Sequence, residues 1–235
     1  MKNKRKCLTI VFMVFCFVGI ITTIYLISDL EKDVGTNMQI KQEIEKYIND
    51  EEDLGVDFKA LKNINSDTVG YVEVPNTNVD YVVVKGNDNE YYLKHDFNKG
   101  YNVAGWIFAD YRNKVDGTDK NLVIYGHNTV DGSMFGSLSN LLKEENIKNE
   151  NDLIINFVTD KGRKKYKIFS IYTIKPEEYY ISTDFKEDEF EVFKKRMKER
   201  SIYKLDVSLE NKNIITLSTC QNHGLKRLVI HAVEI

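Results

Sequence analysis

Three residues of this 235-residue chain carry side chains that could together perform acyl transfer: Cys220, His127 and Arg227. A free thiol has a pKa of about 8.5, so a neighbouring imidazole or cation is needed to hold it as the nucleophilic thiolate. The imidazole can then protonate a leaving amine. A fixed guanidinium can stabilise the oxyanion of the tetrahedral intermediate. These residue types therefore predict cysteine-dependent acyl transfer if the fold brings them together.

Each of the three residues lies where a strand-like run begins or ends. Cys220 closes the run 214–220, His127 follows the run 122–126, and Arg227 opens the last run of the chain. Strand ends and the loops beside them are where active sites are commonly built on a rigid scaffold. All three residues therefore lie at positions where an active site could be built.

Other interpretations of the same residues stay open at this point. Cys220 could be a small hydrophobic core residue, and His127 or Arg227 alone would more often be structural or on the surface. His223 is a rival base, but it follows Cys220 by three residues, and so short a turn rarely aims both side chains at one substrate atom. His231 shares a strand face with Arg227 and is consistent with a packed residue.

No metal, cofactor or nucleic acid is predicted as a partner. The four histidines show no metal-ligand spacing such as H-x-x-x-H. The net charge of the chain is −3, and residues 1–27 carry four basic and no acidic side chains, so the remainder carries a net charge of −7. Phosphate binding needs a basic face, which an acidic domain of this kind does not suggest.

Residues 7–27 form a run of 21 residues without a charged side chain, preceded by a basic cluster. About 20 apolar helical residues span a bilayer, and the positive-inside rule puts the N-terminus in the cytoplasm. A cleaved signal peptide is the alternative, but it needs a shorter apolar core and a small-x-small cleavage site. The sequence thus predicts a single-pass membrane protein with this division: tail 1–6, signal anchor 7–27, linker 28–37 and external domain 38–235. Cys220 is the one cysteine of that external domain.

The external domain reads as mainly β, with a few helices. An apolar stripe predicts a helix over 37–49, capped at Thr36 or Asn37, and a second helix is expected near 56–64. A third helix is predicted over 187–200, with Phe190, Phe193 and Met197 on one apolar face. Period-two patterns predict eight strands: 69–74, 79–84, 105–109, 121–125, 153–158, 166–174, 213–219 and 227–234. This order favours a barrel or sandwich with helical additions over a parallel α/β sheet.

Four segments of the chain resemble the sortases, and class B within that family. The segment Thr216-Leu-Ser-Thr-Cys220 is similar to the T-L-x-T-C signature, and Leu122–Phe135 to the region of the catalytic histidine. Gly105–Asn113 resembles the class B stretch G-x-I-F-x-D-x-R-N, and Asp88–His95 its substrate-groove segment. The helix expected at 187–200 matches the insertion that separates class B from class A.

The resemblance implies an eight-stranded β-barrel with an N-terminal helical pair and a helix between late strands. It implies a membrane-anchored cysteine transpeptidase on the surface of a Gram-positive bacterium, which needs no cofactor. Cys220 matches the nucleophile, His127 the general acid and base, and Arg227 the stabilising arginine. Residues expected to hold the sorting signal are Ser218, Asn89, Leu93, Tyr125, Tyr180 and Ile181.

The implied reaction joins two partners. Cys220 would attack the carbonyl of a threonine in the C-terminal sorting signal of a surface protein, and an amine of a peptidoglycan precursor would release the thioacyl enzyme. Two rival functions are a different cysteine acyl transferase or protease, and a non-enzymatic surface domain in which Cys220 is a core residue. Pro176 and Glu177 stand where some class B enzymes present a threonine to the signal.

Overall fold

The computed structural model describes residues 2–48, 55–147, 153–186, 188–221 and 225–235. For residues 2–5, 7, 220 and 221 the description is limited to the backbone. Residue 187, where the third predicted helix begins, and His223, the rival base, therefore lie outside the described residues.

Eight strands within the described residues close into a barrel in the order β1-β2-β3-β4-β7-β8-β6-β5. The strands are β1 Thr68–Val74, β2 Val79–Val84, β3 Phe108–Ala109, β4 Asn121–Tyr125, β5 Ile154–Thr159, β6 Gly162–Ile174, β7 Ile214–Gln221 and β8 Lys226–Glu234. All eight predicted strands form, and the predicted eight-stranded barrel is confirmed.

Strand pairing brings three chain segments to one edge of the barrel. β4 and β7 are parallel, with Tyr125 opposite Ser218, so the segments that follow both strands leave the sheet at the same edge. β7 and β8 are antiparallel, with Cys220 opposite Arg227. The end of β4, the end of β7 and the start of β8 therefore meet there, although they are far apart in the sequence.

The third predicted strand is much shorter than expected. The sequence predicts pairing over 105–109, but only Phe108 and Ala109 pair with neighbouring strands. The backbone before Phe108 is not extended throughout and bonds to a loop: Gly105 adopts a left-handed φ of 58°, and Trp106 N donates to Tyr92 O at 2.9 Å. Tertiary hydrogen bonds have replaced the ladder that the alternation pattern predicts.

Three α-helices lie on or beside the barrel in the described part of the chain. α1 spans Lys2–Glu45, α2 Phe58–Ile64 and α3 Glu189–Glu199. α3 belongs to the long connection between β6 and β7, residues 175–213, which is called the insertion below. Phe193 and Met197 of α3 are fully buried against the outer face of β6 and β8. Burial of each side chain contributes about 1.5–3 kcal/mol to the free energy of folding.

The predicted start of the first external helix is wrong, because this helix is the C-terminal part of α1. The sequence predicts a cap at Thr36 or Asn37, yet the helix runs without a break through residues 28–37, which were expected to be a linker. Thr36 Oγ1 donates to Lys32 O four residues earlier, within the helix. Asn37 is buried and donates to Gly105 O at 2.9 Å. A distant partner therefore satisfies the side chain that the local pattern assigns to a cap.

The N-terminal part of α1 leaves the barrel. It contains an 18-residue window of mean hydropathy 2.7, none of it buried, which is long and apolar enough to cross a membrane. The C-terminal part packs on the barrel through Ile40 and Ile44, as the apolar stripe predicts.

Candidate active site

A groove of about 540 Å³ lies between the outer face of the barrel and the insertion. His127 and Arg227 both line it. All six residues predicted to hold a sorting signal line it as well: Asn89, Leu93, Tyr125, Tyr180, Ile181 and Ser218. The structure thus brings together eight of the nine predicted site residues around one cavity.

Cys220, the ninth predicted residue, lies on β7 at the end of this groove. Its Cα is paired with that of Arg227 across the β7–β8 ladder, and it follows Thr219, which lines the groove. The backbone therefore places the predicted nucleophile beside the predicted arginine.

His127 is held by a backbone carbonyl from another part of the chain. Its Nε2 lies 2.8 Å from Leu93 O. A carbonyl oxygen only accepts hydrogen bonds, so Nε2 carries a proton in this contact and the neutral ring has its lone pair on Nδ1. The contact fixes the tautomer and leaves Nδ1 as the nitrogen that can exchange a proton.

Gly105 makes this position of the imidazole possible. A Cβ at residue 105 would lie 2.5 Å from Tyr92 O and 3.0 Å from His127 Cδ2, and the backbone is left-handed there. Any other residue would be strained and would push against the ring. The class B-like segment that begins at Gly105 thus supports the histidine directly.

Asp110, in the same segment, is a completely buried carboxylate at the side of the groove. It accepts hydrogen bonds from Tyr125 Oη at 2.7 Å, Asn89 Nδ2 at 2.9 Å and Arg112 Nε at 2.8 Å. Burial raises the pKa of Asp110, but the hydrogen bonds from Arg112 and Tyr125 outweigh it and hold the pKa below its ordinary value. Burial and the Asp110 charge raise the pKa of Tyr125, which therefore stays a donor.

The insertion is fastened to this network and to β7. Arg112 donates from a terminal guanidinium nitrogen to Ile181 O at 3.0 Å, and the hydroxyls of Tyr180 and Ser218 lie 3.0 Å apart. Glu177 is hydrogen-bonded to Arg200. The groove wall is thus held by side-chain contacts that cross between the insertion and the barrel.

His231 is a packed residue and not part of the groove. It is fully buried, with Nδ1 2.8 Å from Thr216 Oγ1 and Nε2 3.0 Å from Tyr172 Oη. Burial lowers the pKa of His231 to about 3, with the Arg200 charge adding to the effect. The interpretation of His231 as a packed residue is therefore confirmed. His95 is stacked on Tyr91, with ring centroids 3.9 Å apart, in a surface loop.

Four further residues line the groove and are not predicted as site residues from the sequence: Phe108, Gly126, Glu178 and Thr219. Thr219 Oγ1 is buried and has no hydrogen-bond partner among the described residues. The position of Thr219 next to Cys220, in the segment that resembles T-L-x-T-C, is the sequence feature that could have indicated a site residue. An unpaired buried hydroxyl at the edge of a groove points to a ligand group that pairs with it.

Comparison with known proteins identifies the family. A sortase-domain model matches residues 72–235, about two thirds of the chain. The chain belongs to the sortase family. Sortase B of Listeria monocytogenes is 37% identical over 171 residues, covering 70% of this sortase and 67% of that protein. Sortase B of Staphylococcus aureus is 34% identical over 180 residues, covering 74% and 73% of the two chains.

Solved sortase B structures share the fold. Sortase B from Bacillus anthracis in complex with AAEK1 superposes with a TM-score of 0.78 at 33% identity, covering 87% of this sortase and 98% of that chain. The Staphylococcus aureus sortase B–substrate complex gives a TM-score of 0.71 at 30% identity, with coverages of 88% and 95%. The resemblance to class B is confirmed, and this sortase is a cysteine transpeptidase that anchors proteins to the cell wall.

Proposed function

We propose that this sortase is held in the membrane by α1 and cleaves a C-terminal sorting signal after a threonine. It then transfers the carboxyl group of that threonine from Cys220 to an amine of a peptidoglycan precursor. The observation that carries the proposal is the single groove lined by His127, Arg227 and the six residues predicted to hold the signal. No cofactor takes part in the proposed chemistry. Among the described residues, no group of three or more His, Cys, Asp or Glu side chains is arranged to hold a metal ion.

The first half of the reaction uses Cys220 and His127 as a pair. Nδ1 of His127 takes the thiol proton of Cys220. The resulting thiolate attacks the threonine carbonyl carbon, and a carbon–sulfur bond forms as the carbonyl π bond opens. The tetrahedral intermediate then collapses, the carbon–nitrogen bond breaks, and the leaving amine takes a proton from Nδ1 of His127. The contact between Nε2 and Leu93 O supports this role because it orients the ring. A thioester on Cys220 remains.

Arg227 is proposed to stabilise the oxyanion of that intermediate. It is opposite Cys220 in the β7–β8 register and lines the groove, which supports the assignment. The buried hydroxyl of Thr219 can pair with a polar atom of the bound peptide. We infer that both groups face the scissile bond.

The test measures three variants by cleavage of a fluorescence-quenched sorting-signal peptide and by mass spectrometry of the thioacyl enzyme. Cys220→Ala is expected to form no thioacyl enzyme. His127→Ala should slow cleavage by about 10²–10⁴-fold, because the leaving amine loses its proton donor. His223→Ala should retain most of the activity. Thioacyl formation by Cys220→Ala, or loss of activity in His223→Ala with full activity in His127→Ala, would contradict the assignment.

Arg227→Lys tests the oxyanion role separately. An ammonium lacks the planar fork of a guanidinium, so cleavage should fall by about 10²–10³-fold, the usual loss when an oxyanion donor is removed. Arg163→Lys, on β6 away from the groove, is the matched control and should be unchanged. If Arg227→Lys cleaves the peptide at the wild-type rate, Arg227 acts only through its positive charge and the proposed oxyanion role is wrong.

A further inference from the structure

We propose that a second cavity receives the amine acceptor, an inference that rests on the proposed function. This acceptor cavity has a volume of about 620 Å³ and lies between α1 and residues 127–131. Among the described residues that line the two cavities, His127 is the only one that they share. A nucleophile in the acceptor cavity would therefore reach the proposed base without passing through the sorting-signal groove.

The acceptor cavity connects the predicted membrane boundary with His127. Ile27 is the last residue of the charge-free run, and it lines the cavity together with Leu30, Glu31 and Val34 of α1. At a rise of 1.5 Å per residue, this wall extends for about 10 Å beyond Ile27. A precursor anchored in the bilayer could thus present its amine at this wall without leaving the membrane.

Buried amides hold α1 in this position. Asn102 donates from Nδ2 to Asp33 O at 2.9 Å, and Val103 N donates to Asp33 Oδ2 at 2.7 Å. Asn37 donates to Gly105 O, next to the residues that hold His127. Because these groups are paired in one arrangement, the distance between the membrane end of α1 and the imidazole is fixed by the fold.

The charge of the cavity fits a cationic amine. Glu31 and Asp131 line it, and none of the described residues that line it is Lys or Arg. The other walls are largely apolar, including Val130, whose side chain is fully exposed at 104%. Carboxylates above an apolar surface suit an ammonium on an aliphatic stem, which is the chemistry of an amine-bearing branch of a peptidoglycan precursor.

The ammonium loses two protons as it becomes an amide. One proton passes to Nδ1 of His127, which frees the amine to attack the thioester carbonyl carbon. A carbon–nitrogen bond forms, the carbon–sulfur bond breaks, and the sulfur leaves as the Cys220 thiolate. The second proton is released to solvent. The thiolate and the protonated imidazole that attacked the sorting signal are thereby restored.

The test uses the full-length enzyme in phosphatidylcholine nanodiscs at low ionic strength. Thioacyl formation is measured first, and then aminolysis by triglycinamide, a cationic amine, and by hydroxylamine, which is uncharged at neutral pH. Glu31→Lys and Val130→Lys are compared with Glu43→Lys on α1 and Val192→Lys on α3, whose side chains are exposed elsewhere. The two cavity variants should raise the KM for triglycinamide by about three- to tenfold and leave thioacyl formation and hydroxylaminolysis unchanged.

Each outcome bears on a separate claim. An unchanged KM for triglycinamide in both cavity variants would overturn the acceptor cavity and leave the proposed function intact. Equal slowing with both nucleophiles, or in the control variants, would also overturn it, because the effect would then be damage or altered contact with the bilayer. A wild-type enzyme that forms no thioacyl intermediate would instead contradict the proposed function.

Discussion

At the scale of single residues, His231 is expected to make the stability of the fold depend on pH. Its pKa is about 3 in the folded state and about 6.5 in the unfolded chain. The unfolded chain therefore binds more protons between these values, and the free energy of unfolding should fall as the pH drops from 6.5 towards 3. The expected slope from this residue is at most about 1.4 kcal/mol per pH unit.

Chemical denaturation at several pH values measures this slope. His231→Gln should be less stable at neutral pH, since it loses hydrogen bonds to Thr216 and Tyr172, but its stability should fall less steeply in acid. His95→Gln, a histidine in a surface loop, is the control and should keep the wild-type slope. Equal slopes for wild type and His231→Gln would refute the burial argument.

At the scale of structural elements, Asp110 joins three parts of the groove wall: the segment before β3, the end of β4 and the insertion. Asp110→Asn removes the charge that pairs with Arg112, so we expect a loss of about 2–3 kcal/mol in unfolding free energy. The hydrogen bonds that Tyr125 and Asn89 donate to Asp110 also change, and both residues line the groove. The KM for a sorting-signal peptide should therefore rise more than kcat falls.

Asp96→Asn separates a positioning role from general destabilisation. Asp96 is also buried and accepts a hydrogen bond from Gly100 N at 2.9 Å, but it does not line the groove. We expect this control to lose stability with an unchanged KM. If both variants raise KM equally at a temperature where both are folded, Asp110 has no special part in shaping the groove.

At the scale of the whole molecule, the two halves of α1 should make different contributions. No residue in the 18-residue apolar window of α1 is buried, so a variant starting at residue 28 should unfold at the same denaturant concentration as the full chain in detergent. A variant starting at residue 46 also loses Ile40 and Ile44 and should be less stable by about 3–6 kcal/mol. Equal stability of all three chains would contradict this division.

The same division predicts the topology of the enzyme in cells. Protease added to protoplasts should digest the barrel domain and spare the N-terminus, because the positive-inside rule predicts a cytoplasmic location for the basic cluster. Protection of the barrel domain, or release of a soluble form lacking residues 1–27, would contradict the predicted anchor.

Local patterns in the sequence were sufficient for the strands and for the choice of candidate residues. Alternation predicted all eight strands, and the spacing of Phe190, Phe193 and Met197 predicted the buried face of α3. Burial of one face is a local property of a strand or helix, so it is written in neighbouring residues. The motif-like segments that contain His127, Cys220 and Arg227 likewise indicate the family from short stretches of sequence alone.

Contacts between distant residues were decided only by the tertiary structure. The local pattern assigns Asn37 to a helix cap, because its hydrogen-bond partner Asn102 is 65 residues away and cannot be seen in neighbouring residues. The same pattern places Gly105 in a strand, although its backbone turns there and makes room for His127. Asp110 gave no local sign of the donors that meet on its carboxylate. The sequence by itself determined the elements, the membrane-length helix and the residues able to perform acyl transfer. Their arrangement around one groove depended on closing the barrel, because strand order and long-range hydrogen bonds are not encoded in any short stretch of the chain.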